Sequence, residues 1–144
     1  MKKWLPLIAV AMLALVGFTL LSNKDQNRPT NQNPTGPKPI SASQAQYVEY
    51  SDDVIAQTAG TKILFFHASW CPQCRQLERS ILSGTIPNGV TVIKVDYDSN
   101  QELRQKYGVT IQTTLVKVDD NGNLVEKYVA YDEPTLENLK LNLL

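Results

Sequence analysis

Apolar and polar residues alternate in three different ways along this chain. From Trp4 to Asn23 no residue is charged, and the core of the run, LPLIAVAMLALVGFTLL, is almost wholly apolar. Such a run, close to 18 residues, is at the short end of what crosses a bilayer core of about 30 Å. It is longer than the apolar region of a typical cleaved signal peptide, and its end, Phe18-Thr19-Leu20-Leu21-Ser22, offers no small-x-small cleavage site. Residues 1–23 are therefore expected to be an uncleaved membrane anchor, with release after cleavage as the alternative. Lys2, Lys3 and the terminal amine put the N-terminus on the cytoplasmic side and the rest of the chain outside.

Residues 24–43 are dominated by Asn, Gln, Thr and Ser, with Pro29, Pro34, Pro37 and Pro39 among them and Ile40 the only large apolar side chain. This composition cannot bury enough apolar area to offset the entropy of ordering it, so the segment is expected to be a disordered linker.

Residues 44–144 change rhythm again, to short apolar strands alternating with helical repeats. Tyr47 to Tyr50 is a strand candidate, and Ser51 is placed to cap a helix through Ala59 that Gly60 ends. Lys62 to His67 is a near-continuous apolar run, as expected of a central strand covered on both faces, with Phe65 and Phe66 in the core. A helix from about Cys71 to Leu82 and a second buried strand from Val90 to Asp96 follow. Ser99 and Glu102 have the spacing of a capping box for a short helix carrying Leu103 and Tyr107 and ending at Gly108. Thr114 to Val118, a turn at Asn121-Gly122, and Leu124 to Tyr131 make a hairpin. Asp132 is placed to cap a last helix with Leu136, Leu139 and Leu143 on one face. The order β-α-β-α-β-α-β-β-α predicts an α/β domain with a mixed central sheet and helices on both faces.

Charge and composition narrow the function. The 14 basic and 14 acidic residues balance, which leaves no electrostatic footprint for nucleic acid. Both cysteines lie in Cys71-Pro72-Gln73-Cys74, so neither can tie distant parts of the fold together. Their role is chemical.

Cys71 stands where a strand turns into a helix, and unpaired N–H groups at a helix N-terminus favour thiolate, the form that attacks a disulfide. Cys74 follows one turn later, about 5–6 Å away, within the span a disulfide tolerates. Cys74, Leu77 and Ile81 share an apolar face, so Cys74 is expected to be shielded and Cys71 to stand at the exposed rim. Pro72 suits a first helical turn, where its missing N–H has no intrahelical partner. Gln73 is neutral and gives a thiolate less help than a cation would. Trp70, beside Cys71, is a candidate for the substrate-facing surface. His67 is expected to be a satisfied strand-end residue, and Arg75 a solvated one.

Phe65-Phe66-His67-Ala68-Ser69-Trp70-Cys71-Pro72-Gln73-Cys74 resembles the strand and CxxC segment of the thioredoxin superfamily, and the resemblance extends over the chain from about Gln44. It implies a thioredoxin-like fold, with Cys71 as nucleophile and Cys74 as resolving thiol, acting without a cofactor on protein thiols or disulfides or on a partner oxidoreductase. Within the superfamily the chain is similar to membrane-anchored extracytoplasmic members, which implies a single-pass protein of a bacterial cell membrane. Three departures stand out. Phe65 occupies the place of a buried Asp that serves the second cysteine. A partnering Lys would fall near Val92. Thr113 occupies the place of a cis-proline opposite the cysteines; the Gln112–Thr113 bond is expected to be trans, and the Thr113 hydroxyl to donate toward the Cys71 thiolate.

A CxxC also suits metal. Copper handling or assembly by Cys71 and Cys74, with His67 as a third ligand, is the alternative, although thioredoxin-like copper-delivery proteins space their cysteines by three and add a distant histidine. Structural zinc would need about four ligands, and the chain has two cysteines and one histidine.

Overall fold

The computed structural model describes residues 46–144. The anchor expected at 1–23 and the linker expected at 24–43 lie outside the described residues. Among the described residues no helix is long and apolar enough to cross a membrane.

Among the described residues nine elements follow in the expected order. They are β1 (Gln46–Glu49), α1 (Val54–Gln57), β2 (Thr61–His67), α2 (Pro72–Ser83), β3 (Val90–Asp96), α3 (Gln101–Tyr107), β4 (Thr114–Val118), β5 (Leu124–Val129) and α4 (Leu136–Leu143). The five strands form one sheet in the order β1-β3-β2-β4-β5. β3 runs parallel to β1 and β2, whereas β4 is antiparallel to both β2 and β5.

β2 holds the centre because its side chains are apolar on both faces. Ile63 and Phe65 join Leu77 and Ile81 of α2 and Leu136, Leu139 and Leu143 of α4. Leu64 and Phe66 join Val54 of α1 and Tyr107 of α3 on the other side. All four β2 residues are fully buried. Burying each such side chain contributes about 1.5–3 kcal/mol, which makes β2 the least movable element and its end a firm platform.

Helix ends depart from the sequence-based expectation where a nearby side chain offers a competing hydrogen bond or a proline restricts the backbone before it. α1, expected to run from a Ser51 cap through Ala59, spans only four residues. The Thr58 hydroxyl donates to the Val54 carbonyl, 2.6 Å away, and Thr58 itself is already extended. The capping box at Ser99 and Glu102 does not form. Asp96 Oδ1 takes both the N–H and the hydroxyl of Ser99, and Asn100 stands at the N-cap without a side-chain bond. Asp132 does not cap α4, because Glu133 precedes Pro134 and is thereby disfavoured in helical geometry. Thr135 caps it instead, accepting from the Asn138 N–H. Gly108 does end α3, in the left-handed conformation at φ 61°.

Candidate active site around Cys71 and Cys74

Loops converge at the C-terminal end of β2. The Tyr97 N–H donates to the His67 carbonyl (2.8 Å) and the Thr113 N–H to the Phe66 carbonyl (2.9 Å), drawing the segments after β3 and before β4 onto the strand end. The chain then leaves β2 through Ala68 and Trp70 into α2, with Cys71 as N-cap and Pro72 in the first turn.

The Cys71 sulfur turns back over that turn and accepts from the Cys74 N–H at 3.4 Å, while its thiol donates to Gln73 Oε1 at 3.5 Å. This capping geometry overturns the expectation that Cys71 stands at an exposed rim: drawn inward, it exposes no surface, and neither does Cys74. The Ala68 N–H donates to the Cys74 sulfur at 3.4 Å. Thr113, also fully buried, places Oγ1 3.2 Å from the Cys74 sulfur and 3.6 Å from that of Cys71. Trp70 stays 57% exposed beside the pair, its indole N–H bonded to Asp98 Oδ2 at 2.8 Å. Trp70, Cys71, Pro72, Gln73, Cys74 and Thr113 thus meet in one place. Arg75 is exposed and donates to the Ser69 carbonyl at 2.8 Å.

The two thiols differ in acidity. Burial pushes Cys71 up, but the Cys74 N–H and the Thr113 hydroxyl outweigh it and leave the thiol below its ordinary value. Burial pushes Cys74 up further than Ala68 and Thr113 pull it back, so that thiol lies above its ordinary value.

Thr113 holds an unusual backbone. Its peptide bonds are trans, as expected, but its φ is 63°, a genuine outlier for a β-branched residue, costing about 1–3 kcal/mol. The conformation persists because both backbone groups are engaged: the N–H on Phe66, and the carbonyl by the Ala130 N–H at 3.0 Å.

A model of the Thioredoxin family matches residues 42–140. The chain belongs to the thioredoxin family. Thioredoxin-1 of Drosophila melanogaster is 29% identical over 98 residues, covering 67% of this chain and 85% of that protein. Bacillus subtilis thioredoxin is 32% identical over 74 residues, 50% of this chain and 70% of its own length. Among solved structures, a mutant thioredoxin from Halobacterium salinarum NRC-1 matches with a TM-score of 0.54 and 32% identity, over 69% of this chain and 88% of that one.

Within this thioredoxin-family domain, Phe65 is fully buried and apolar as the sequence implied. Its partner across β3, however, is Lys94 and not Val92, which pairs with Ile63. Lys94 Nζ lies 3.0 Å from Glu78 and 3.3 Å from Glu49, and the Tyr47 hydroxyl donates to Glu78 at 2.9 Å. His67 Nε2 is 3.2 Å from Glu78 Oε2 but too poorly aligned for a hydrogen bond, so His67 is not the satisfied residue expected. Sequence inspection missed this cluster. Two signals were present: Glu78 is four residues after Cys74 on one helix face, and Lys94 continues the alternate positions of Val90 and Val92. Among the described residues, no three His, Cys, Asp or Glu side chains are grouped to hold a metal ion.

The cluster makes stability acid-sensitive. Burial, helped by Lys94, lowers the His67 pKa from 6.5, against the pull of Glu78. Burial raises Glu78, but Lys94 and Tyr47 overcome it and hold the carboxyl below 4.5. For His67 the unfolded chain takes up a proton more readily, so stability is full above 6.5 and lost as pH falls below it toward the lowered folded value. For Glu78 the stabilisation is present above 4.5 and lost as pH falls through its lowered folded value. The urea midpoint is expected to drop as pH falls below 6.5 and again as it falls below 4.5. His67→Gln should remove the first drop and leave the second; a flat profile in the wild type would refute the assignment.

Thiol acidity supplies a second test. Mass mapping of iodoacetamide alkylation against pH should show Cys71 half-reacting below pH 9.0 and Cys74 above it. Equal profiles would show that the hydrogen bonds around Cys71 do not favour its thiolate.

Proposed function

We propose that this protein is a thiol-disulfide oxidoreductase that exchanges disulfides with exported proteins or with a partner oxidoreductase, tethered to a bacterial membrane with its domain on the extracytoplasmic side. One observation carries the activity: two cysteines at the N-terminus of α2, one a capping sulfur of lowered pKa and the other a deeper thiol of raised pKa. Family membership supports the same reaction. Cys71 is the nucleophile and Cys74 the resolving thiol. Trp70 is the exposed apolar surface against which a substrate chain lies, while Pro72 and Gln73 shape the first turn around the sulfur.

In the forward sense, the Cys71 thiolate attacks one sulfur of a substrate disulfide, and the other leaves as thiolate and takes a proton from solvent. Cys74 then displaces the substrate from Cys71, closing the Cys71–Cys74 disulfide. The reverse sequence oxidises a substrate dithiol. Which direction prevails depends on the reduction potential of the pair and on the partner that resets it. The tether is supported by the uncharged run from Trp4 to Asn23 and the polar, proline-rich stretch that follows it.

Trapping separates the roles of the two thiols. Cys74→Ser should accumulate mixed disulfides with substrate proteins, resolved on non-reducing gels, and Cys71→Ser should accumulate none. The opposite pattern would reverse the assignment, and no adduct with either variant would reject the activity. For the tether, mass analysis of protein extracted from native membranes should place the N-terminus at or near Met1; a start within residues 24–43 would reject an uncleaved anchor.

A further inference from the structure

The Thr113 hydroxyl sits between two sulfurs, 3.2 Å from Cys74 and 3.6 Å from Cys71. It is fully buried, and among the described residues the sulfurs are its hydrogen-bond partners. Its position is over-determined, because the Thr113 backbone is held at φ 63° by bonds to Phe66 and from Ala130. A hydroxyl has one proton to donate and rotates freely to aim it. The carbon skeleton can therefore stay still while the donated hydrogen bond moves from one sulfur to the other.

Charge also moves between these sulfurs during disulfide exchange. Before attack it lies on Cys71. In the resolving step Cys74, its proton given up to solvent, attacks the Cys71 sulfur as thiolate. The Cys74–Cys71 bond forms, the bond from Cys71 to the substrate sulfur breaks, and the substrate leaves with the electron pair and takes a proton from solvent. The Cys74 thiolate is a buried charge, and it needs donors. Phe65, beneath it, offers none, and no hydrogen bond from the Tyr47, His67, Glu78 and Lys94 cluster reaches either sulfur. Among the described residues, what remains is the Ala68 N–H at 3.4 Å and Thr113.

We infer that Thr113 is a catalytic residue whose hydroxyl follows the charge, donating to Cys71 before attack and to Cys74 during resolution. The inference rests on the oxidoreductase activity proposed above. Because the same charged state of Cys74 is crossed when it leaves in the reverse reaction, the donor serves both directions.

Single-turnover reaction of the reduced full-length protein in detergent with glutathione disulfide tests this. Acid quenching and mass analysis follow the Cys71–glutathione adduct as it forms and resolves, across a range of pH. In Thr113→Val, which keeps the β-branched shape and loses the hydroxyl, the pH of half-maximal rate should rise by about one unit for both formation and resolution. Thr113→Ser should return both toward the wild type. Should the valine variant not fold, Thr113→Ala against Thr113→Ser gives the same comparison. A shift in formation alone would confine Thr113 to Cys71 and overturn the inference. No shift in either would reduce it to filling space. Absence of any Cys71 adduct in the wild type would instead overturn the oxidoreductase proposal itself, and the role of Thr113 with it.

Discussion

The hydrogen bond from the Thr113 N–H to the Phe66 carbonyl ties the segment before β4 to the end of the most deeply buried strand. Phe66 cannot shift, because β2 is packed on both faces and paired with β3 on one side and β4 on the other. Thr113 therefore cannot shift either, and the cysteine pair is enclosed between α2 and this loop. A buried backbone donor left unpaired would cost about 1–3 kcal/mol, so the tie is also energetically required once the loop is closed over the strand. The strained φ of Thr113 follows from it: the backbone accepts an unfavourable conformation because both of its polar groups are already committed.

The asymmetry of the two sulfurs comes from their places on one helix. As N-cap, Cys71 faces the free N–H groups of the first turn, where charge is favoured. Cys74, one turn further in, points to the sheet among Leu77, Ile81 and Phe65, where charge is penalised. Among the described residues the pair's hydrogen-bond partners are neutral: two backbone N–H groups, a threonine hydroxyl and the Gln73 amide. Neutral, buried partners are little affected by ionic strength, unlike exposed charges.

The ionisable residues of this face are gathered elsewhere, around Glu78 between α2, β1 and β3. With Phe65 apolar, Lys94 has no acid at its paired position on β2 and turns to Glu49, its partner on β1, and to Glu78 of α2. Glu78 thereby keeps its charge despite burial, and His67 stays neutral beside it. Removing one member of such a half-buried group would strand the others, which is why its energetics appear as a response to acid and not as a single strong bond.

Much of the domain is legible in the order of residues along the chain. The succession of elements, the double-faced burial of β2, the apolar face of Cys74, Leu77 and Ile81, the α4 stripe of Leu136, Leu139 and Leu143 and the position of Pro72 follow from periodicities of two and 3.6 residues, which are properties of the local backbone. The proximity of Thr113 to the cysteines came from family resemblance, since 42 residues separate it from Cys71. What escaped were the choices made between competing partners. Ser99 bonds Asp96 and not the α3 terminus, Thr58 closes α1 early, and Cys71 folds inward to cap α2. Lys94, not Val92, faces Phe65, because the register of β2 on β3 is set across the sheet. Sequence alone determined which elements form and that the two cysteines lie one turn apart where a strand turns into a helix, because those depend on near neighbours in the chain. Tertiary structure alone decided which hydrogen-bond partner each polar group takes and how deeply each sulfur lies, because those depend on which distant groups packing brings within about 3 Å.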